Sequence, residues 1–183
     1  MANIIHPAAQ NYFLDTEFFD PETQGFGINF FSIGFVSESG KKFYGVSNAF
    51  NDEAYRGAWV YENVIQKLPP KEQRQDLETI KTGLLSVFEA GAERVDIWAK
   101  NGAYDFYVMS RMFPRQLDLK KALQEQFGIT RLRFRDTNEL LDLAPKGLIL
   151  PEQDPATHHI SIDDACHERE VFLTIKNALS REP

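Results

Sequence analysis

The sequence predicts an α/β domain, with a mixed central β-sheet whose first strands run antiparallel and with α-helices packed on its faces. Three observations predict it. Aromatic and branched runs separated by turn residues fill the first fifty positions. Helical and strand patterns alternate from Asp52 onward. No repeat, low-complexity stretch or linker divides residues 1–183, so the chain reads as a single domain.

"NYFLDTEF" (11–18) is the first strand, rich in aromatic and branched side chains. "PETQG" joins it to a second strand within "GFGINFFSIGFVSE", and "KKFYGVS" is a third. The turn signal "ESGKK" between the last two makes the group an antiparallel meander. "VYENVIQKL" then has helical spacing and stops at Pro69–Pro70. A longer helix is expected over 71–91, with Leu77, Ile80, Leu84, Leu85 and Phe88 as its apolar stripe and Gly91 as its stop. "RVDIWA" (94–99) reads as a buried strand, and "AYDFYVMSRMF" (103–113) as a short helix ended by Pro114. "LDLKKALQEQFG" is a helix closed by Gly128, "RLRFRD" (131–136) a strand and "TNELLDLA" (137–144) a helix. A loop over 145–159 leads to a C-terminal helix over 161–180, with Ser161 as its expected N-cap.

Composition narrows the function classes. Fifteen Phe and 43% hydrophobic residues support a packed core rather than disorder. Cys166 is the single cysteine, so an internal disulfide is excluded and a reducing, cytoplasmic setting is expected. The N-terminus carries no signal-peptide pattern, and runs such as "FFSIGFV" are too short to span a bilayer, so no membrane partner is expected. A net charge of −7 argues against a broad electrostatic grip on duplex nucleic acid. It is compatible with a site built from carboxylates, whose charge bound cations offset.

Such a site has candidates. Asp15 and Glu17 stand two apart on the first strand and project to one face, where two unpaired acids need a cation or a proton. A solvated acidic loop after Leu14 is the plainer alternative. Asp105 opens a helix after "DIWAKN", where a carboxylate also suits the helix dipole. "HHISIDDACHE" sets His and Asp at the start of the last helix, where acids at a helix N-terminus are unremarkable. Taken together, D-x-E on the first strand, N-x-x-aromatic-D, then H-x-x-x-x-D-A in this order resemble the DEDDh family of 3′→5′ exonucleases on the ribonuclease H-like fold. The similarity spans Asp15 to the last helix. It is greatest to small single-domain exoribonucleases of the mycobacterial type and to ribonuclease T. His158/Asp163 and His159/Asp164 share the family's spacing. The family's small residue and its Ala fit Ser161 and Ala165, which selects His159 and Asp164.

The resemblance implies a hydrolase that cleaves phosphodiester bonds from the 3′ end of single-stranded nucleic acid, RNA ahead of DNA, using two divalent cations, Mg²⁺ or Mn²⁺. By that resemblance Asp15, Glu17, Asp105 and Asp164 hold the cations. His159 is the general base, and its ordinary pKa of about 6.5 suits the task. Thr16 and Phe18 are expected at the 3′-terminal nucleotide. Phe19 and Phe26 are near candidates for base stacking, with core packing as the plainer role. Asn101 is expected to support the loop before Asp105 or to touch substrate. Arg131, Arg133 and Arg135 read as a charged edge strand rather than a phosphate clamp. Relatives that share substrate contacts as dimers leave a homodimer open. A DNA-directed proofreading or phage-type exonuclease is the nearest alternative. A non-catalytic nucleic-acid-binding module would not need all five residues of the site.

Overall fold

The computed structural model describes residues 5–6, 8–20, 28–113 and 116–180, with residues 116 and 117 described in backbone only. The "PETQG" loop, Phe26 and Pro114 lie outside the described residues. Among the described residues five strands form one sheet: β1 (Ala9–Phe19), β2 (Asn29–Ser37), β3 (Lys42–Val46), β4 (Arg94–Ala99) and β5 (Arg131–Asp136). Their order is β3-β2-β1-β4-β5. β1–β2 and β2–β3 pair antiparallel, while β1–β4 and β4–β5 pair parallel. The sheet is therefore mixed, with antiparallel first strands, as the meander and the later strand–helix alternation predict. β5 is an edge strand. Its Arg131 and Arg133 are exposed, and Arg135 lies 3.7 Å from the buried Asp96.

Strand periodicity sends alternate residues of β1 to two separate cores. Tyr12 and Leu14 face helices α2 (Leu77–Val87) and α3 (Ala103–Arg111), in a cluster with Ile80, Leu84, Val108 and Met109. Phe13 faces α6 (Ser161–Leu179), where its ring meets Phe172 edge-on at 5.0 Å. Trp98 packs on the same Phe172 ring, and its indole N–H donates to Asn11 Oδ1 at 2.9 Å, so burying it leaves no donor unmet. A third cluster, with Phe31, Val60, Val64 and Ile65 at its centre, seats the residues after β3 against β2.

Several helix boundaries differ from the sequence expectation, among them the ends of α2 at Val87 and of α3 at Arg111. The 60–68 segment is a short α1 (Trp59–Asn63) followed by a 3₁₀ turn, Ile65–Lys67. The 71–91 helix begins only at Leu77. Asp76 caps it by accepting from the Thr79 N–H at 2.7 Å, and Gln75 is drawn away to donate to the Val46 carbonyl at 2.7 Å. A capping side chain beside a competing strand contact outweighs continued helical spacing there. The helix over 137–144 is α5, Thr137–Leu141 only. In α6 the N-cap is Ile160, with no side-chain cap. Ser161 is already helical, and its buried hydroxyl meets Ser32 Oγ at 3.0 Å instead. α4 (Gln116–Phe127) follows α3 and precedes β5 in the chain. Among the described residues no helix is long and apolar enough to cross a membrane.

Candidate active site

The site forms where β1, α3 and the start of α6 converge. Asp15 and Glu17 lie two residues apart on β1, on the face that carries Phe13. α6 is drawn onto that face by Gly34 of β2. A Cβ at Gly34 would sit 2.0 Å from the Ser161 carbonyl oxygen, so only glycine admits the helix start this closely. The close seating brings Asp164 toward Glu17. Glu17, His159 and Asp164 each offer a ligand atom within 4.8 Å of the others. His159 Nδ1 lies 3.7 Å from Glu17 Oε1.

Asp105 reaches the site from α3 on the opposite side of the sheet. β4 pairs with β1 only as far as Phe13, leaving the Thr16 backbone beyond that ladder. Asp105 Oδ1 accepts from the Thr16 N–H at 2.8 Å and from its hydroxyl at 2.7 Å. Thr16 therefore spends both donors on Asp105 and acts on the site through that carboxylate. Phe18, after a register shift in the β1–β2 pairing, stacks on Tyr104 with centroids 5.4 Å apart. Phe19 packs into the third cluster against Tyr55. Asn101 adopts a left-handed φ of 53°. Its side-chain oxygen accepts from Asn138 at 2.8 Å, tying the loop before α3 to the start of α5.

His159 has φ 61°, an unusual conformation for a residue with a Cβ. Its N–H donates to Asp164 Oδ2 at 2.9 Å, and its ring meets Trp59 nearly perpendicularly at 5.0 Å. The other Asp164 oxygen accepts from Gln153. The side chain of His159 is 42% exposed, open enough to meet a ligand.

The electrostatics show the strain of the cluster. Burial pushes the Asp15 carboxyl well above the usual carboxylate range, and Asp105, Glu17, Asp164 and Glu168 add repulsion. Glu17 is pushed up to about 8, chiefly by burial and then by Asp164 and Asp105, with Lys67 opposing. Burial also raises Asp105, which its Thr16 hydrogen bonds partly offset. Burial holds the His159 pKa below its ordinary value against the opposing pull of Asp164, which favours the neutral ring. Asp15 Oδ2 is buried with no hydrogen-bond partner. An acceptor without a donor amid further carboxylates suits a hard divalent cation, and the carboxylate oxygens gathered here fit one.

Sequence reasoning passed over four residues at or beside the site. Gln153 and Lys67 come from loop and turn positions with no motif of their own. Trp59 carries no spacing signal. Glu168, one helical turn after Asp164, is only 7% exposed, and its Oε2 lacks a partner. The i, i+4 relation on α6 was the one available clue to it.

No family model matches the chain. Among curated proteins it is 32% identical to the 3′-5′ exoribonuclease Rv2179c of Mycobacterium tuberculosis strain H37Rv, over 145 residues that cover 71% of this chain and 84% of the relative. The counterpart in strain CDC 1551 matches to the same extent. Among solved structures, one described as an ExoI/SSB-Ct complex superposes with a TM-score of 0.50 at 16% identity. That match covers 93% of this chain but only 40% of the other. The superposition supports the ribonuclease H-like fold that the mixed sheet already displays. The identity and coverage of the mycobacterial relatives place this chain in the family of DEDDh-type 3′→5′ exonucleases, hydrolases of phosphodiester bonds.

Proposed function

We propose that the protein is a cation-dependent 3′→5′ exonuclease acting on single-stranded ends, with RNA ahead of DNA. The observation that carries the reading is the buried, unpartnered Asp15 Oδ2, set among carboxylates from β1, α3 and α6. Asp15 with Glu17 and Asp164 would hold one divalent cation, and Asp15 with Asp105 a second, Mg²⁺ or Mn²⁺ in both cases. Bound there, the cations would offset the charge on the phosphate and favour the attacking water.

The chain's own groups do the rest. Water attacks the phosphorus of the terminal linkage, and the bond to the penultimate nucleotide's 3′-oxygen breaks, that oxygen taking a proton from solvent to become the new 3′-hydroxyl. His159, whose burial favours the neutral ring, takes the proton from the water on its imidazole, and a nucleoside 5′-monophosphate leaves. Thr16 holds the Asp105 carboxylate in place through two hydrogen bonds. Phe18 on Tyr104, together with the exposed ring of Trp59, offers aromatic faces on which bases stack without sequence preference. The RNA preference is supported by the relatives, which are named exoribonucleases.

Matched 5′-labelled RNA and DNA strands, incubated with Mn²⁺, test this reading. A ladder shortening from the 3′ end, faster on RNA, is expected. A faster DNA ladder would move the chain to the DNA-directed alternative. Tight binding with no cleavage would leave a non-catalytic module.

A further inference from the structure

The peptide group that joins His158 to His159 is gripped at both ends. Its N–H donates to Asp164 Oδ2 at 2.9 Å, and its carbonyl accepts from Lys67 Nζ at 2.5 Å. The residue that follows this peptide is the left-handed His159. A side-chain-bearing residue keeps such a backbone only where its surroundings over-determine it. Asp164 constrains one side of the peptide, and Lys67, from 91 residues away in sequence, constrains the other.

Lys67 is well placed to do this because its own segment is anchored. It ends the arm formed by α1 and the following 3₁₀ turn. Val60, Val64 and Ile65 of that arm are buried against Phe31 of β2 in the third cluster. The same arm presents Trp59 to the His159 ring at 5.0 Å and 88°. One element thus touches the His159 loop at its backbone and at its imidazole. The third cluster fixes that element to the strand next to the one that carries Asp15 and Glu17.

We propose that Lys67 is a positioning residue for His159: its ammonium fixes the 158–159 peptide and so aims the imidazole into the site. The proposal rests on the reading of His159 as general base. The bond is charge-assisted and its geometry is set by a packed arm, so losing it lets the loop relax rather than weakening substrate capture. A lysine beside a nuclease site could instead hold a substrate phosphate, and the two roles leave different kinetic signatures.

The test compares Lys67→Met, Lys67→Arg, His159→Ala and the Lys67→Met/His159→Ala pair on single-stranded RNA at saturating Mn²⁺. Lys67→Met is expected to lower kcat about tenfold with KM changed less than about twofold, because a small misplacement of a reacting group costs turnover. Lys67→Arg, which keeps a charged donor, is expected to recover most of that loss. In the His159→Ala background, Lys67→Met is expected to cost nothing further, since it acts through a group already removed. Amide hydrogen exchange at His159, read on the intact chain, is expected to speed up in Lys67→Met. A raised KM with kcat intact would make Lys67 a phosphate contact and overturn the proposal. So would an equal slowing of the His159→Ala enzyme, or unchanged exchange at His159. If His159→Ala keeps full turnover, the general-base reading falls first and takes the proposal with it. If His159→Ala is slow while Lys67→Met is not, the proposal fails alone.

Discussion

Replacing Glu17 by Gln should stabilise the cation-free protein, and by an amount that depends on pH. The unfolded carboxyl titrates near 4.5 and the folded one near 8. Between those values the folded chain holds a proton the unfolded chain has released, so stability falls as pH rises through that window. At pH 5 the cost is small, because Glu17 is protonated when folded and partly so when unfolded. At pH 8 the shift has nearly its full effect, and the difference between the two pH values is about 3 kcal/mol at ~1.4 kcal/mol per unit. Gln keeps the shape and a polar end but cannot ionise, so it removes this pH-dependent cost. In a protein of this size the gain at pH 8 corresponds to a Tm higher by roughly 10 °C, with a much smaller change at pH 5. Thermal unfolding of both proteins in EDTA at the two pH values measures it. A Tm gain equal at both pH values, or a loss at pH 8, would refute the claim that burial, with the acidic neighbours, disfavours an ionised Glu17.

Three further predictions test other parts of the account. His159→Ala should slow cleavage by about 10²–10⁴-fold while the cation-induced rise in Tm persists, and His158→Ala should leave turnover close to wild type. Single-turnover kinetics and melting curves check both. Thr16→Val removes the 2.7 Å hydroxyl bond to Asp105; it should cost about 1 kcal/mol of stability and lower kcat/KM, measured by urea unfolding and a hydrolysis assay. Gly34→Ala would drive a Cβ into backbone 2.0 Å away at Ser161. It should destabilise the fold by about 1–3 kcal/mol or more and depress activity by moving the start of α6, both readable on the same preparation.

Much of this architecture was legible before any coordinates, for reasons that particular residues make plain. Alternation along "NYFLDTEF" sends Phe13 to one face and Tyr12 and Leu14 to the other, and the structure follows that pattern into two cores. The same period-2 logic put Asp15 and Glu17 on one face. The order of the motifs then pointed to the residues that the fold gathers from β1, α3 and α6. Helix boundaries were less legible. Competition between a capping Asp76 and a strand contact at Gln75 is decided by tertiary geometry, which no local window contains. The supporting residues were least legible of all. Lys67 reaches the His158 carbonyl across 91 residues, and Gln153 reaches Asp164 from an irregular loop. Gly34 gave no hint that its missing side chain is what lets α6 approach. Motifs point to candidate groups for the chemistry, whereas the groups that hold them are selected by packing and leave no periodic trace.

The most direct test of the central claim uses one single-stranded RNA labelled at its 5′ end in one sample and its 3′ end in another. Wild type and Asp15→Asn are run in parallel with Mn²⁺ and with EDTA. Wild type with Mn²⁺ should release the 3′ label at once as a mononucleotide and shorten the 5′-labelled strand stepwise. EDTA and Asp15→Asn should each abolish both signals, while Asp15→Asn keeps a cooperative melting transition. Undiminished cleavage by Asp15→Asn, or by wild type in EDTA, would contradict a site built around that buried carboxylate.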